Sequence, residues 1–249
     1  MSDQKANQSG SWHVTAVPET GSTNADLLKM GANGAPDRTV LRADFQSAGR
    51  GRLNRTWEAP AGSNLLVSLL FRPVPPRAHV LTQVVALSAV AVATELCDVS
   101  IDLKWPNDLL VNGTKVAGIL AQAAPVVAQG VVPFFVVGPG LNLGWAPDGA
   151  TSLSASKWSK EVTPHEFLTA MLPRIDLLLS LTDEELHAAY VSKVATIGTR
   201  VKAHMPDGND VVGRAIDVER DGRLVLIDDC AVSHRIDTAD VVHLRPATE

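Results

Sequence analysis

The chain has 249 residues, of which 45% are apolar and 20% charged, and its formal net charge is −5. This composition is typical of a globular protein, long enough for one large and one small domain with a core that needs no disulfides or metal ions. The negative charge argues against a nucleic-acid-binding surface, which is usually basic. The first eleven residues lack the apolar stretch of a secretory signal.

Polar residues such as Gln83 and Ser88 interrupt the longest apolar segments, so no membrane-spanning run of about 20 residues is predicted. Cys97 and Cys230 are the only cysteines. Neither has a partner at metal-ligand spacing, so we expect two reduced thiols and no metal cluster built by the protein. We therefore expect a soluble cytoplasmic protein with a flexible start over residues 1–11.

The first half of the chain alternates short strands with helices. In chain order the pattern predicts a strand over 12–17, a helix over 25–30 with Ser22 or Thr23 as its N-cap, a strand over 39–44, an irregular loop over 46–55, a buried strand over 64–71, an apolar helix over 79–97, a strand over 101–105, and a hairpin of strands 108–111 and 115–121 that turns on Asn112-Gly113.

The second half predicts a buried strand over 131–137, a turn at Gly138-Pro139-Gly140, and helices over 164–181 and 182–193. From residue 197 onward, short Val-rich segments alternate with Asp-Gly turns, which is the pattern of a small antiparallel barrel. We predict an α+β fold with a mixed sheet, divided into a flexible terminus (1–11), a larger domain (12–195) and a small C-terminal SH3-like barrel (196–249).

The segment from Asp44 to Trp57 carries the clearest chemical signal. Two glycines allow close approach of the backbone to a ligand, and three arginines (Arg50, Arg52 and Arg55) offer guanidinium groups suited to phosphate or carboxylate. Trp57 provides a flat face for stacking. The spacing matches neither a Walker loop nor a Rossmann fingerprint, so it indicates another anion-binding loop; the alternative is a solvated basic turn.

A second segment joins Lys104-Trp105-Pro106-Asn107-Asp108 to Lys115. A lysine at the start of a buried strand needs an anion nearby, because burying an unpaired ammonium is costly. Gly118, on the same strand, leaves room for a ligand. Taken alone, a lysine such as Lys115 would more often lie at a solvent-exposed strand edge.

Two further segments carry polar side chains beside turns. The hydroxyls and amide of Ser22, Thr23 and Asn24 could bind a polar neutral group, although helix capping explains one of them. Asn142, after the glycines at 138 and 140, could bind an adenine edge or could simply belong to a turn.

In this order the four segments resemble those of the biotin protein ligases. The resemblance rests on Ser-Thr-Asn at 22–24, Gln46 before a Gly-Arg-Gly-Arg loop that ends in Trp57, Lys-Trp-Pro-Asn-Asp at 104–108, Lys-x-Ala-Gly-Ile-Leu at 115–120 and Gly-x-Gly-x-Asn at 138–142. It covers about residues 12–245. It implies ATP-dependent activation of biotin to biotinyl-5′-AMP, with Mg²⁺, and transfer of biotin to a lysine of a biotin carboxyl carrier domain of an acyl-CoA or pyruvate carboxylase.

The resemblance also implies roles for individual residues. Lys115, Arg50 and Arg52 would be catalytic. Biotin would contact Ser22, Thr23, Asn24, Gln46, Arg50, Gly51, Arg52, Lys115 and Gly118. ATP or the adenylate would contact Arg52, Arg55, Trp57, Asn107, Asp108, Lys115 and Asn142, with Mg²⁺ near Asp108.

Three residues, in two segments, depart from the family pattern. Leu53 and Asn54 stand where relatives often have Arg-Gly, and Pro139 lies within the glycine segment, so loop mobility is the property they would affect. Some family members carry an N-terminal DNA-binding domain. Only about eleven residues precede the first predicted strand here, so we expect a short form without operator binding. The alternatives are a lipoate ligase or octanoyltransferase of related fold, and a non-catalytic biotin-sensing regulator.

Overall fold

The computed structural model describes residues 11–126, 130–155, 160–205, 207–237 and 240–243. Residues 1–10, Pro206 and the end of the chain, where parts of the predicted terminus and barrel fall, lie outside these ranges. The helices and strands, in chain order, are β1 (His13–Thr20), α1 (Thr23–Ala32), β2 (Thr39–Gln46), β3 (Leu65–Phe71), α2 (His79–Cys97), β4 (Asp102–Lys104), β5 (Asp108–Val111), β6 (Thr114–Ala123), β7 (Phe135–Leu141), α3 (Pro164–Leu179), α4 (Asp183–Val191), β8 (Arg200–His204), β9 (Asp210–Val218), β10 (Leu224–Asp228), β11 (Ser233–Ile236) and β12 (Asp240–His243).

Within these residues, seven strands form one sheet in the order β1-β2-β3-β7-β6-β5-β4. Strands β1 and β2 are parallel, and the other pairs are antiparallel. Strand β3 lies near the centre and is buried along its whole length, which agrees with its apolar sequence on both faces. The predicted α+β fold with a mixed sheet is confirmed.

The remaining strands of the described chain form a second, antiparallel sheet in the order β11-β10-β9-β8-β12. It begins at Arg200, after α4 has ended at Val191, and it agrees with the predicted small C-terminal barrel. The division of the chain at residue 195 stays a prediction.

Helix α2 forms the middle of the larger core and packs mainly on α3. We predicted that no segment is long and apolar enough to span a membrane. By length and composition alone α2 is, because its few polar residues scarcely reduce its mean hydropathy. In this fold 67% of its apolar window is buried inside the protein, as in the core helix of a globular domain.

The hairpin predicted over 108–121 is confirmed. Asn112 and Gly113 both have positive φ, 50° and 77°, which is the conformation of a type I′ turn and the reason Asn-Gly is favoured there. Strand β1 extends to Thr20, past the predicted end at residue 17. Pro18 is tolerated because β1 is an edge strand, and an edge position leaves one side of the backbone without a partner strand.

The predicted turn at Gly138-Pro139-Gly140 is wrong. All three residues lie inside β7 and pair with β6, Gly138 with Leu120 and Gly140 with Gly118. Conversely, residues 131–134, predicted as strand, are irregular. The glycines are there because other side chains press against the strand, and this close approach leaves no room for a Cβ atom.

Candidate functional site

One cavity of about 250 Å³ opens on one face of the larger sheet. All fourteen predicted site residues line it: Ser22, Thr23, Asn24, Gln46, Arg50, Gly51, Arg52, Arg55, Trp57, Asn107, Asp108, Lys115, Gly118 and Asn142. They come from four separate segments of the chain. Tertiary structure therefore brings the four sequence signals together in one place.

The polar wall of the cavity begins at the first turn of α1. Ser22 is the N-cap, with φ −160°, and its hydroxyl accepts from the backbone N–H of Ala25 at 3.5 Å. The next residue, Thr23, donates from its backbone N–H to Gln46 Oε1 at 2.8 Å. This bond fixes the orientation of the Gln46 amide, because Oε1 must face the donor.

Asn24 is held by three hydrogen bonds inside the protein. Its Nδ2 donates to Leu120 O at 3.1 Å and to Gln122 Oε1 at 2.9 Å, and its Oδ1 accepts from Ser68 Oγ at 2.5 Å. A Cβ on Gly138 would lie 1.9 Å from Asn24 Oδ1, so the glycine is required for this packing. The predicted biotin contact of Asn24 stays a prediction.

The glycine–arginine segment forms a tight loop over the cavity. Gly51 N–H donates to Arg55 O at 2.7 Å, and Trp57 N–H donates to Gly49 O at 3.0 Å. A Cβ on Gly49 would lie 2.3 Å from Trp57 O, so this glycine too serves close approach. Leu53, at the exposed tip of the loop, has φ +54°.

Asn54 follows it with φ +58°. Both residues that depart from the family pattern thus adopt the left-handed conformation that glycine adopts most easily and that asparagine tolerates better than leucine. Their effect on loop mobility stays a prediction. Pro139, the third departure, lies in β7 opposite Ile119.

Lys115 forms an ion pair with Asp108, as predicted for a lysine at the start of a buried strand. Its Nζ lies 2.6 Å from Asp108 Oδ1, and both side chains are partly exposed to the cavity. The pair forms because β5 and β6 are antiparallel neighbours on either side of the Asn112-Gly113 turn. The lysine Nζ also lies 5.8 Å from the centre of the Trp57 ring, within the range of a cation–π contact.

Asn107 connects the arginine loop to this pair. Its Oδ1 accepts from Arg52 Nη1 at 3.1 Å, while its Nδ2 donates to Ile119 O at 3.0 Å. Arg52 is thereby anchored beside Asp108 and Lys115. The cavity wall consequently has guanidinium, ammonium and carboxylate groups next to one another, which suits a ligand that carries phosphate and carboxylate oxygens.

Asn142 is 1% exposed and is bonded within the protein. Its Oδ1 accepts from Asn64 Nδ2 at 3.1 Å and its Nδ2 donates to Thr151 O at 3.1 Å. The predicted contact with adenine, which would need the remaining amide proton or a lone pair, stays a prediction. Trp57 Nε1 is buried and has no hydrogen-bond partner within the described residues, so a donor is available there.

Sequence reasoning missed several residues of the site. Ser68 and Gln122 support Asn24, Asn64 supports Asn142, and Gly140 supports Trp57. Ser68 could have been found, since it is the single polar residue in the apolar run of β3. The others carry no local signal, because their partners lie far away in the sequence.

A second cavity of about 240 Å³ lies between the larger sheet and the β9–β10 turn. Trp105 Nε1 donates to Gly222 O at 2.9 Å, and His79 Nε2 lies 3.1 Å from Arg220 O. Because a carbonyl oxygen only accepts, His79 carries its proton on Nε2. Burial lowers the pKa of His79, although the bond to Arg220 acts in the opposite direction. This cavity shares Arg52, Asn107 and Ile119 with the first one.

A resident metal would need a group of acidic, histidine or cysteine side chains. Throughout the described ranges, no three such side chains come close enough to hold an ion. Cys97 is buried and Cys230 exposed, and both are free thiols. Asp108 provides one carboxylate in the cavity, which fits Mg²⁺ that arrives with a nucleotide and is coordinated mainly by phosphate oxygens.

Comparison with known proteins gives consistent matches. Residues 16–138 match the biotin/lipoate A/B protein ligase family. The biotin--[acetyl-CoA-carboxylase] ligase of Mycobacterium tuberculosis is 38% identical, with 98% of this chain and 94% of that protein covered. The bifunctional ligase/repressor BirA of Bacillus subtilis is 31% identical, and this chain covers 66% of its length.

Among solved structures, the biotin protein ligase of Aquifex aeolicus in complex with biotin and ATP superposes with a TM-score of 0.79 at 25% identity. That match covers 94% of this chain and 99% of the Aquifex chain. The ligase of Leishmania major in complex with biotinyl-5-AMP has a TM-score of 0.66 at 20% identity, covers 91% of this chain and 99% of the Leishmania chain, and supports the fold alone.

Proposed function

The chain belongs to the biotin protein ligase family, and we propose that the cavity beside Lys115 is the place where it performs the reaction. The enzyme is a biotin--[acetyl-CoA-carboxylase] ligase that uses biotin and ATP as substrates. The observation that carries the site assignment is the Lys115–Asp108 pair inside a cavity that also contains the arginine loop and the first turn of α1.

In the first step, an oxygen of the biotin carboxylate attacks the α-phosphorus of ATP and pyrophosphate leaves, which gives biotinyl-5′-AMP. Two anions must approach each other, so positive charge beside the reacting atoms lowers the barrier. Lys115 would supply that charge to the carboxylate and α-phosphate oxygens, and Arg50 and Arg52 would cover the phosphates. Asp108 holds Lys115 in place before the substrates arrive.

In the second step, the neutral amine of a carrier lysine attacks the acyl carbon of the adenylate, and AMP leaves as the amine loses its proton. The carrier would be a biotin carboxyl carrier domain of a carboxylase. The arginine loop would exclude water, which otherwise hydrolyses the mixed anhydride.

Biotin and ATP would bind at opposite ends of the cavity. Ser22, Thr23, Asn24 and Gln46 present polar neutral groups, as the ureido ring of biotin requires, while Gly51 would leave room for its chain. Gly118 would lie beside that chain, where it accommodates the Trp57 ring and the Lys115 side chain. Arg55, Trp57, Asn107 and Asn142 would serve the nucleotide. Mg²⁺ would be held by Asp108 together with phosphate oxygens, and it would neutralise the pyrophosphate that leaves.

The test is direct. The purified chain, biotin, ATP, Mg²⁺ and an apo carrier domain should give a carrier whose mass has increased by one biotin, and omission of ATP should abolish the change. A folded sample that transfers no biotin would overturn the assignment. Calorimetry with biotin and with lipoate separates the ligase from a lipoate-specific relative, since only biotin should bind.

We also propose where the enzyme is located in the cell and that it does not bind operator DNA. A cytoplasmic location would place the enzyme with its carboxylase, and cell fractionation tests it. With a net charge of −5, we expect no operator binding by this chain. A gel shift with a salt titration tests this, because specific DNA binding would give a salt-dependent complex.

A further inference from the structure

Two buried polar side chains without a partner line the second cavity, between the larger sheet and the β9–β10 turn. Gln83 of α2 is 6% exposed and Tyr190 of α4 is 5% exposed. Neither the Gln83 amide nor the Tyr190 hydroxyl forms a hydrogen bond with another residue in the described part of the chain. Buried polar groups are normally hydrogen-bonded, because the loss of water without a replacement partner is costly. Two such groups on one cavity indicate a partner that comes from outside the chain.

Both groups remain accessible through the second cavity. Their polar atoms are not among those that the described residues seal inside the protein, and the second cavity is the open space that both side chains line. Burial raises the pKa of Tyr190, so its hydroxyl keeps its proton and can donate. Neither residue lines the first cavity, so the binding of biotin and ATP does not explain them.

The other ionisable side chains of this wall are already bonded or neutral. Arg223 Nη2 lies 2.5 Å from Asp221 Oδ2, and Arg223 Nε lies 3.7 Å from Asp237 Oδ1. Arg52 donates to a side-chain amide. Burial lowers the pKa of His79 below its ordinary value, so its ring is mostly neutral at pH 7. The groups that lack a partner are therefore neutral, which favours a neutral ligand over an ion.

The rest of the wall suits a flat and mainly apolar molecule. Trp105, Pro106, Ile119 and Ala121 line it. The Nε1 proton of Trp105 is already donated to Gly222 O, so the indole offers contact area to a ligand but no hydrogen bond. The cavity measures about 240 Å³, whereas a cavity of about 150 Å³ holds benzene. One ring with a polar substituent therefore fits.

Gln83 determines which polar substituent fits best. Its primary amide offers N–H donors beside a carbonyl acceptor, so a ligand with the same two groups on adjacent atoms forms two hydrogen bonds with it at once. We propose that the second cavity binds a small neutral molecule with a carboxamide on a flat ring, held by Gln83 and Tyr190. This site lies beside the one assigned to the ligase reaction and does not depend on that assignment.

The test uses benzamide as the probe, titrated into the purified full chain and followed by protein NMR. We expect a Kd on the order of a millimolar, as is usual for a ligand of this size. Benzoate, which carries a charge, and N,N-dimethylbenzamide, which has no N–H, should each bind about tenfold more weakly, because each loses a hydrogen bond with the Gln83 amide. Saturating biotin alone, or ATP alone, should leave the Kd of benzamide unchanged.

Two variants locate the probe. Gln83→Leu and Tyr190→Phe should each raise the Kd of benzamide, Gln83→Leu by about tenfold. Neither should lower the Tm, because the deleted groups form no hydrogen bond within the described residues. Ser88→Ala is the matched control, since Ser88 is also buried on α2 but donates to Val85 O inside the helix. It should bind benzamide as the wild type does.

Displacement of benzamide by biotin or ATP would place it in the first cavity and overturn the proposal. Equal affinity for benzamide and benzoate, or a wild-type Kd in the variants, would overturn it too. No binding of benzamide up to its solubility would mean that the cavity holds only water, with the same consequence. If one variant does not fold, the other decides, and the analogues and the competition with biotin and ATP need neither.

Discussion

Gly118 and Gly140 face each other directly across strands β6 and β7, and the indole of Trp57 lies against both. A Cβ on Gly140 would lie 2.5 Å from Trp57 Cε2, and one on Gly118 would lie 3.3 Å from Trp57 Cζ3. Paired residues in a sheet normally bring two side chains together. Two paired glycines instead leave a bare patch of backbone on which a flat ring can rest beside Lys115.

Gly140→Ala should displace Trp57, because a methyl group 2.5 Å from the indole cannot be accommodated without movement. If Trp57 serves the nucleotide, the KM for ATP should rise about tenfold and the KM for biotin should change little, which steady-state kinetics measures. Gly21→Ala is the control, since no atom lies within 4 Å of the added methyl group. A larger change in biotin KM than in ATP KM would contradict the role given to Trp57.

Lys115→Ala should lower the rate of adenylate formation by about 10²–10³-fold while the protein stays folded, because one preorganised charge at the reacting centre is lost. Pyrophosphate exchange measures this step without the carrier. Lys29→Ala removes a lysine whose side chain is 75% exposed and paired with Asp26, and it should behave as wild type. An exchange rate near that of the wild type in Lys115→Ala would reject the catalytic role.

Asn142→Ala should lower the free energy of unfolding by roughly 1–3 kcal/mol, since it removes the acceptor of the buried Asn64 Nδ2 and the donor to Thr151 O. Urea denaturation measures the loss. In an Asn64→Ala background the further loss should be smaller, because the bond between the two asparagines is already absent. An undiminished urea midpoint in Asn142→Ala would show that the amide has no structural role.

Burial of His79 beside the β9–β10 turn should make the folded protein less stable in acid. Burial lowers the pKa of His79 in the folded protein below its ordinary value of 6.5, so the unfolded chain binds a proton first as the pH falls. Stability from this group is complete above pH 6.5 and is lost as the pH falls from there through the lower folded pKa. The pKa of Asp221, the carboxylate whose charge reaches His79, is lowered mainly by its hydrogen bonds with Arg223.

Urea unfolding at pH 7.5 and 5.5 tests this prediction. The wild type should lose stability between the two values, and His79→Gln, which can still donate to Arg220 O but does not titrate, should lose less. Equal losses in the two proteins would place the pH effect on another group. Arg77, Asp221 and His187 are the side chains whose charges reach His79, so His187→Gln serves as the second control.

The charged residues of the site could be predicted from the sequence around each of them. Lys115 at the start of an apolar strand demanded an anion, and Asp108 lies 2.6 Å away because an Asn-Gly turn brings their strands side by side. The arginine loop was recognisable from its glycines, which are needed to bring its backbone strands close together at Gly49. These signals are local, because backbone preference and the cost of burying charge act on a few adjacent residues.

The sequence by itself determined the kinds of groups that meet in the cavity and most of the elements that hold them. Only the tertiary structure decided that Gly138-Pro139-Gly140 is a strand rather than a turn, that Ser68 supports Thr23 and Asn24, and that Trp57 rests on paired glycines. The physical reason is that a glycine only allows another group to pack closely, and a buried serine only needs a hydrogen-bond partner. The group that packs there, or forms the hydrogen bond, belongs to residues dozens of positions away in the chain.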